Sequence, residues 1–261
     1  IKGDVFVSGT IGFSVVLVLL FIFFPVSRIL INAIQNEEGH YSFSLFWQKF
    51  TSRAIWDLNC LGGELSCGVA WNSLWMAVLV GATTTLLGLA FALLVTRTGI
   101  QAKAFIRVSS LLPIITPPFV IGLALILLFG RSGALNGFLE WAFGIPPTRW
   151  IYGLPGIWLA QTLAFTPIAF LVLIGVVEGV SPSMEEASQT LRASHWQTFW
   201  TVSLPLMRPG IANAFLLGFI ESLADFGNPL VLGGSYEVLS TQIFFAIAGA
   251  QSDQGMAAVL A

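Results

Sequence analysis

The sequence predicts an all-α, polytopic membrane protein of five spanning helices plus the start of a sixth, and three observations predict it. Hydrophobic residues make up 56% of the 261-residue chain and Asp, Glu, Lys and Arg only 9%, where a soluble domain is about 25% charged. Mean hydropathy is +0.86, more apolar sequence than a soluble core absorbs, so lipid must solvate it. The apolar residues fall in unbroken runs of about 20, the length at which a helix crosses a bilayer, and not in the period-two alternation of a membrane barrel. The 12 prolines and 26 glycines suit this class, because membrane helices tolerate them where neighbours or water satisfy the freed backbone groups. A net charge of −2 and a pI near 5.6 leave no basic surface for nucleic acid.

The five runs are roughly Val5–Phe24, Leu74–Val95, Val108–Gly130, Ile157–Val177 and Ile211–Leu232, with a sixth opening near Met256. The first is long enough to span and needs no cleavable signal peptide. After the second, the short loop "TRTGIQAKAFIR" carries Arg97, Lys103 and Arg107 and no acid, which places it in the cytoplasm. Counting spans from it puts Lys2 and the segment 181–210, with Arg192 and Arg208, on the same side. The 25–68, 131–153 and 233–255 loops then face outward. Residues 1–68 form the first span with its outward loop, and 69–261 the core of one membrane domain. No internal repeat or low-complexity tract is visible. The chain starts at Ile1 and stops in "GMAAVLA" as an apolar run opens, which reads as a C-terminally truncated piece of a longer polypeptide.

One polar island interrupts the apolar half: "SMEEASQTLRASHWQTFWTVSLPLMRPG", Ser183 to Gly210. It predicts two short amphipathic helices. Ser183 with Glu186, and Ser194 with Gln197, have capping-box spacing, in which the serine accepts from the third backbone N–H and the longer side chain reaches back. Met184, Ala187 and Leu191 share one face of the first helix; Trp196, Phe199 and Trp200 share one face of the second. Pro205 is expected to end that helix and Pro209 to open the next span. A pair of interfacial helices anchored by tryptophan would explain the aromatics, but not the small step Ala187-Ser188 or the fixed helix–turn–helix length.

The stretch "EASQTLRASHWQTFWTVSLP" resembles the EAA motif of ABC importer permeases, the inner-membrane components of binding-protein-dependent transport. That motif runs Glu-Ala-Ala, three residues, Gly, nine residues, an aliphatic, one residue, Leu-Pro. Glu186, Ala187 and Ser188 open it, Arg192 stands at the Gly position, and Val202, Leu204 and Pro205 close it. The resemblance implies a type I ABC importer transmembrane domain in the bacterial inner membrane. It implies that 181–210 docks on ATPase subunits as coupling helices through Glu186, Ala187, Ser188, Arg192, Leu204 and Pro205. ATP and Mg²⁺ would then lie on the partner ATPase, with no cofactor in this chain. Glu186 has two compatible roles, closing its capping box and docking. Arg192 departs from the pattern: a left-handed residue is cheap for Gly and costs others about 1 kcal/mol or more. Either Arg192 adopts that conformation or the turn is made differently.

A second resemblance, in "FLLGFIESLADFGNPLVLGG" and "STQIFFAIAGAQSDQGMAA", is to ferric-iron permeases of that family, which often fuse two halves in one chain. It covers the chain from about Trp71 onward and implies an N-terminal half, a second permease half (fused or separate) and a periplasmic binding protein that sets most of the specificity. Relatives linked to phosphorylated sugars or phosphonates supply an alternative cargo.

Glu221, Asp225 and Asn228 are the candidate translocation-path residues. Glu221 is read near the middle of the fifth span, with Asp225 one turn on and on the same face. Charge at the bilayer centre costs at least about 2.5–3.5 kcal/mol, so such a pair marks either a cation-friendly stretch of path or a polar contact between helices. Gly227, Asn228 and Pro229 should break the helix just beyond. Pro113, Pro117-Pro118, and Pro167 beside Gln161, Thr162 and Thr166, should turn toward the bundle interior. No His, Cys and Tyr cluster has metal-ligand spacing. Cys60 and Cys67, in "CLGGELSC", are either a disulfide, eased by Gly62-Gly63, or two thiols. His195 reads as a polar face residue. With no phosphate-binding GxxxxGK[ST] loop, the chain is read as a transport subunit and not an enzyme. The rival classes are an ion-coupled secondary transporter and, with thinner support, a membrane-embedded enzyme.

Overall fold

The structure is a computed structural model that describes residues 5–35, 40–58, 60, 67–99, 101, 103–249 and 253–260. Lys2 and Gly62-Gly63 lie outside the described residues. Those described form helices, with no strand among them, and five helices are long and apolar enough to cross a membrane. Helix α1 (Val5–Val18) runs through a π turn (Leu19–Phe23) into α2 (Phe24–Ile34). Short helices α3 (Phe43–Phe50) and α4 (Arg53–Trp56) lead to the second span, α5 (Val69–Arg97). Then come α6 (Lys103–Leu111), α7 (Pro118–Phe129), α8 (Ala134–Phe143) and the fourth span, α9 (Leu154–Glu178). The polar island forms α10 (Pro182–Thr190) and α11 (His195–Thr198); a π turn (Phe199–Ser203) joins α11 to α12 (Leu204–Ala224). Helices α13 (Gly227–Leu232), α14 (Leu239–Ala248) and α15 (Gln254–Leu260) complete the chain.

Three spans differ substantially from the sequence reading: the first, expected over 5–24, continues to Ile34, and the third and fifth are displaced along the chain. The third was expected over 108–130, but Pro113 tightens the chain into a 3₁₀ turn at Leu112–Ile115 and the spanning helix starts at Pro118. Proline cannot donate a helical hydrogen bond and biases the residue before it away from the helical region; accordingly Thr116 and Pro117 are extended, with ψ of 137° and 136°. The fifth was expected over 211–232, opening near Pro209. It runs instead over His195–Ala224, with Pro209 in its interior. Nor does Pro205 end the second island helix. The π turn before it shifts the ladder by one residue, Leu204 N–H reaching Phe199 O, and such a bulge is how a helix absorbs an irregularity.

Helices α5, α9 and α12 make the centre of the bundle. Lipid tails are as apolar as leucine, so close approach through small residues, not hydrophobicity, holds such helices together. A Cβ on Gly88 would lie 2.8 Å from Phe170 N, and one on Gly218 2.6 Å from Thr84 Oγ1. Around these crossings Met76, Val80, Phe170, Leu173 and Met207 are fully buried. By contrast, no residue in the most apolar window of the first span, Phe6–Ile34, is buried. That span meets the rest of the chain at α2, against α15 and α3.

The end of the bundle away from the polar island is tied by side chains to backbone. Asn72 Nδ2 donates to Cys67 O (3.0 Å) and Glu237 O (2.9 Å), while its Oδ1 accepts from Cys67 N–H (3.0 Å). Cys67 is linked to Cys60, the Cα atoms 4.9 Å apart. Tyr236 donates its hydroxyl to Asn72 O at 3.1 Å, and burial pushes its pKa up to about 12. Lys49 Nζ bonds both oxygens of Asp253, at 2.7 and 2.9 Å. Burial pulls the Asp253 carboxyl upward, but the Lys49 hydrogen bond and the Met256 N–H outweigh it and hold the group below its usual value.

Candidate functional site

The polar island is a braced helix–turn–helix. Helix α10 starts with Ser181 as N-cap and Pro182 in its first turn. The expected Ser183–Glu186 capping box is therefore not formed: Ser183 already lies inside the helix, where its hydroxyl meets that of Ser181 at 2.8 Å. Pro182 moved the start, since its fixed φ suits the first helical position. The second capping box is present, Ser194 N–H donating to Gln197 Oε1 at 2.9 Å and Gln197 N–H to Ser194 Oγ at 3.3 Å.

Between the helices, Arg192 adopts the left-handed conformation, with φ of 65°, alone among the described non-glycine residues. Arg192 N–H donates to Gln189 O (2.9 Å) and Ala193 N–H to Ser188 O (3.3 Å). This is the Schellman arrangement that normally recruits glycine, so the turn is the one a glycine would make, built with an arginine. Arg192→Gly is expected to raise stability by about 1 kcal/mol, the cost of left-handed backbone in an ordinary residue. Thermal unfolding of the purified protein in detergent checks this; Arg192→Val should shift the midpoint the other way.

The braces are polar. Ser188 and Thr198 hydroxyls meet at 3.1 Å, and Gln189 Nε2 meets His195 Nδ1 at 3.2 Å. Glu185 Oε1 accepts from Ser203 Oγ at 2.7 Å and pairs with Arg97 at 3.3 Å. Arg107 approaches Glu178 at 3.8 Å, so the 96–107 and 181–210 loops share one end of the bundle, as the charge pattern predicts. A cavity of about 430 Å³ opens there, lined by Arg97, Glu185, Glu186, Gln189, His195 and Phe199 among others. Glu186 and Ala187 face outward, with Ser188, Leu204 and Pro205 half-buried. Leu191, at 85% exposure, and Trp196, at 69%, stand out on either side of the turn. The sequence reading singled out Glu186 and passed over its neighbour Glu185, as well as Ser203. The two acids are adjacent in sequence, and only the fold shows which of them meets Arg97.

Of the three candidate path residues, Asp225 and Asn228 are brought together and Glu221 stands apart. Helix α12 ends at Ala224, and Asp225 follows in extended backbone, with ψ of 119°. Glu221 thus sits in the last turn of α12, not mid-span, and is exposed, while Asp225 is buried. The expected shared face is corrected for a physical reason: a carboxylate just before α13 can satisfy that helix's orphan N–H groups. Asp225 Oδ1 accepts from Gly227 N–H (3.1 Å) and Asn228 N–H (3.4 Å). Its Oδ2 accepts from Gln161 Nε2 (2.9 Å) and Asn228 Nδ2 (2.8 Å). Ser222 Oγ donates to Gln161 Oε1 at 2.7 Å, and Ser240 Oγ to Asp225 O at 2.8 Å. Asp225 and Asn228 thereby join α9, α12, α13 and α14 in one buried polar node.

Comparison with known proteins places these features. Residues 84–261 match the family described as binding-protein-dependent transport system inner membrane component. The ferric transport system permease protein FbpB of Actinobacillus pleuropneumoniae is 44% identical over 259 residues, 99% of this chain and 36% of that protein. A Haemophilus influenzae counterpart, FbpB 1, is 43% identical over 259 residues, 99% of this chain and 39% of its own length. The chain thus spans little more than a third of the length of these two relatives. A bacterial ABC transporter that imports the acidic polysaccharide alginate has a chain of the same fold, with TM-score 0.76 at 17% identity, covering 97% of this chain and 87% of that one.

Proposed function

The chain belongs to the binding-protein-dependent transport system inner membrane component family, a multi-pass membrane family, and from that membership we propose that it is the membrane-spanning subunit of an ATP-driven importer of ferric iron. In this reading a periplasmic binding protein delivers the cargo and a second permease half completes the path. ATPase subunits carrying ATP and Mg²⁺ dock on the polar island. The ferric assignment draws on the FbpB relatives, at 44% and 43% identity across nearly all of this chain.

The observation that carries the coupling role is the braced geometry of the island. Two short helices are fixed at a set angle by the Arg192 turn and the Ser188–Thr198 contact, and they present Glu186, Ala187 and the exposed Leu191 outward. A pair of helices merely resting on headgroups needs no such bracing. One of the two is continuous with a spanning helix, His195–Ala224, so displacement of the island is displacement of a span.

The test is ATP-dependent uptake by the full-length complex in proteoliposomes, with the binding protein loaded with ferric ion or with a sugar phosphate. Stimulation by the ferric-loaded protein, and loss of at least about tenfold in uptake with Glu186→Ala, is the expected result; tenfold corresponds to about 1.4 kcal/mol of docking energy. Stimulation by the sugar phosphate alone would overturn the cargo. Uptake driven by an ion gradient without ATP would overturn the importer.

A further inference from the structure

We propose that Arg97 and Glu185 form the joint through which the position of helix α10 is passed to three spanning helices, making both of them positioning residues for coupling. The inference rests on the importer reading above and adds to it the route by which docking reaches the membrane.

Arg97 lies in the last turn of α5. One of its terminal nitrogens reaches Val177 O at 3.2 Å and Val180 O at 3.0 Å, and Glu185 Oε1 at 3.3 Å. Val177 belongs to the last turn of α9, whose orphan carbonyls and negative helix end attract a cation. Glu185 lies in the first turn of α10, the helix end that favours an anion. The same Oε1 accepts from Ser203 at 2.7 Å, and Ser203 closes the π turn that leads into α12. A single ion pair therefore touches the ends of α5, α9 and α10 and the approach to α12.

The pair is neither exposed nor sealed, Arg97 being 28% and Glu185 21% exposed. It borders the 430 Å³ cavity, so there is space for the surrounding helices to shift while the pair holds. Few other side chains brace α10 against α5 and α9: its remaining bonds, Ser188 to Thr198 and Gln189 to His195, go to α11. Removing the charge of Glu185 frees α10 from α5 and α9 while leaving it on α11. An ATPase could then move α10 without moving all three spans together.

The experiment measures cargo imported per ATP hydrolysed by the full-length complex in proteoliposomes. Glu185→Gln keeps an oxygen for Ser203 and loses the ion pair; Arg97→Gln removes the cation that Val177 O, Val180 O and the Glu185 carboxylate all face. Each is expected to lower the ratio on the order of tenfold, between the small effect of an exposed pair and the larger one of a sealed pair. Combining Glu185→Gln with Arg97→Gln should cost no more than the worse single change, as for residues acting as one unit. A ratio equal to wild type in either assembled variant, or losses that multiply in the double variant, overturns the joint. A wild-type complex that imports nothing with ATP would instead sink the importer reading, a distinct outcome.

Discussion

Asp225→Ala is expected to cost at least about 3 kcal/mol and to strip the protein of its stable fold in detergent. The carboxylate is buried and accepts from Gln161, from the Asn228 amide and from two backbone N–H groups. Alanine would leave these donors without their acceptor, and each buried unsatisfied donor costs about 1–3 kcal/mol. Asp225→Asn separates this role from a place on a cation path. It brings an NH₂ group against the Gln161 and Asn228 amides, so stability should fall as well. A path residue held by no network would instead lose transport at unchanged stability. Thermal unfolding of the two variants, beside uptake by each, distinguishes the roles.

Gly88→Leu is expected to be nearly as damaging. A Cβ at Gly88 would stand 2.8 Å from Phe170 N and 2.9 Å from Ala169 C. Both obstacles are backbone and cannot rotate away, so α5 and α9 must separate. Overpacking of this kind costs about 1–3 kcal/mol and occasionally more, and here it strikes the contact on which packing without a hydrophobic driving force depends. Gly175, in α9, has nothing within 4 Å of the same atom. Gly175→Ala should therefore leave the unfolding midpoint level or slightly raised, a direct control for the steric explanation.

The spans themselves were legible because each rests on one local property, a run of apolar residues longer than the bilayer. Their ends were less so. Reading 108–130 as one span took hydropathy at face value, whereas Pro113 and Pro117-Pro118 decide where helix can start. The pairing of Glu221 with Asp225 assumed that α12 continues past Ala224. It stops because Asp225 caps α13 and bonds Gln161, 64 residues away, and no local pattern announces a partner that distant. The island divides in the same way. The Ser194–Gln197 box and the left-handed site at residue 192 depend on neighbours within three or four positions, and they could be anticipated. The Glu185–Arg97 pair joins residues in different spans' loops and became visible only with the fold.

The exposed first helix has a consequence for how the protein is made. With none of its most apolar window buried against its own chain, Phe6–Ile34 can enter the bilayer before the later spans leave the ribosome. Its 29 residues extend roughly 44 Å at 1.5 Å per residue, against a hydrocarbon layer of about 30 Å. Lipid thickness and the contact of α2 with α15 are then what set its tilt. Because α15 (Gln254–Leu260) follows the four later spans in the chain, the orientation of this span is locked only once a much later segment is in place.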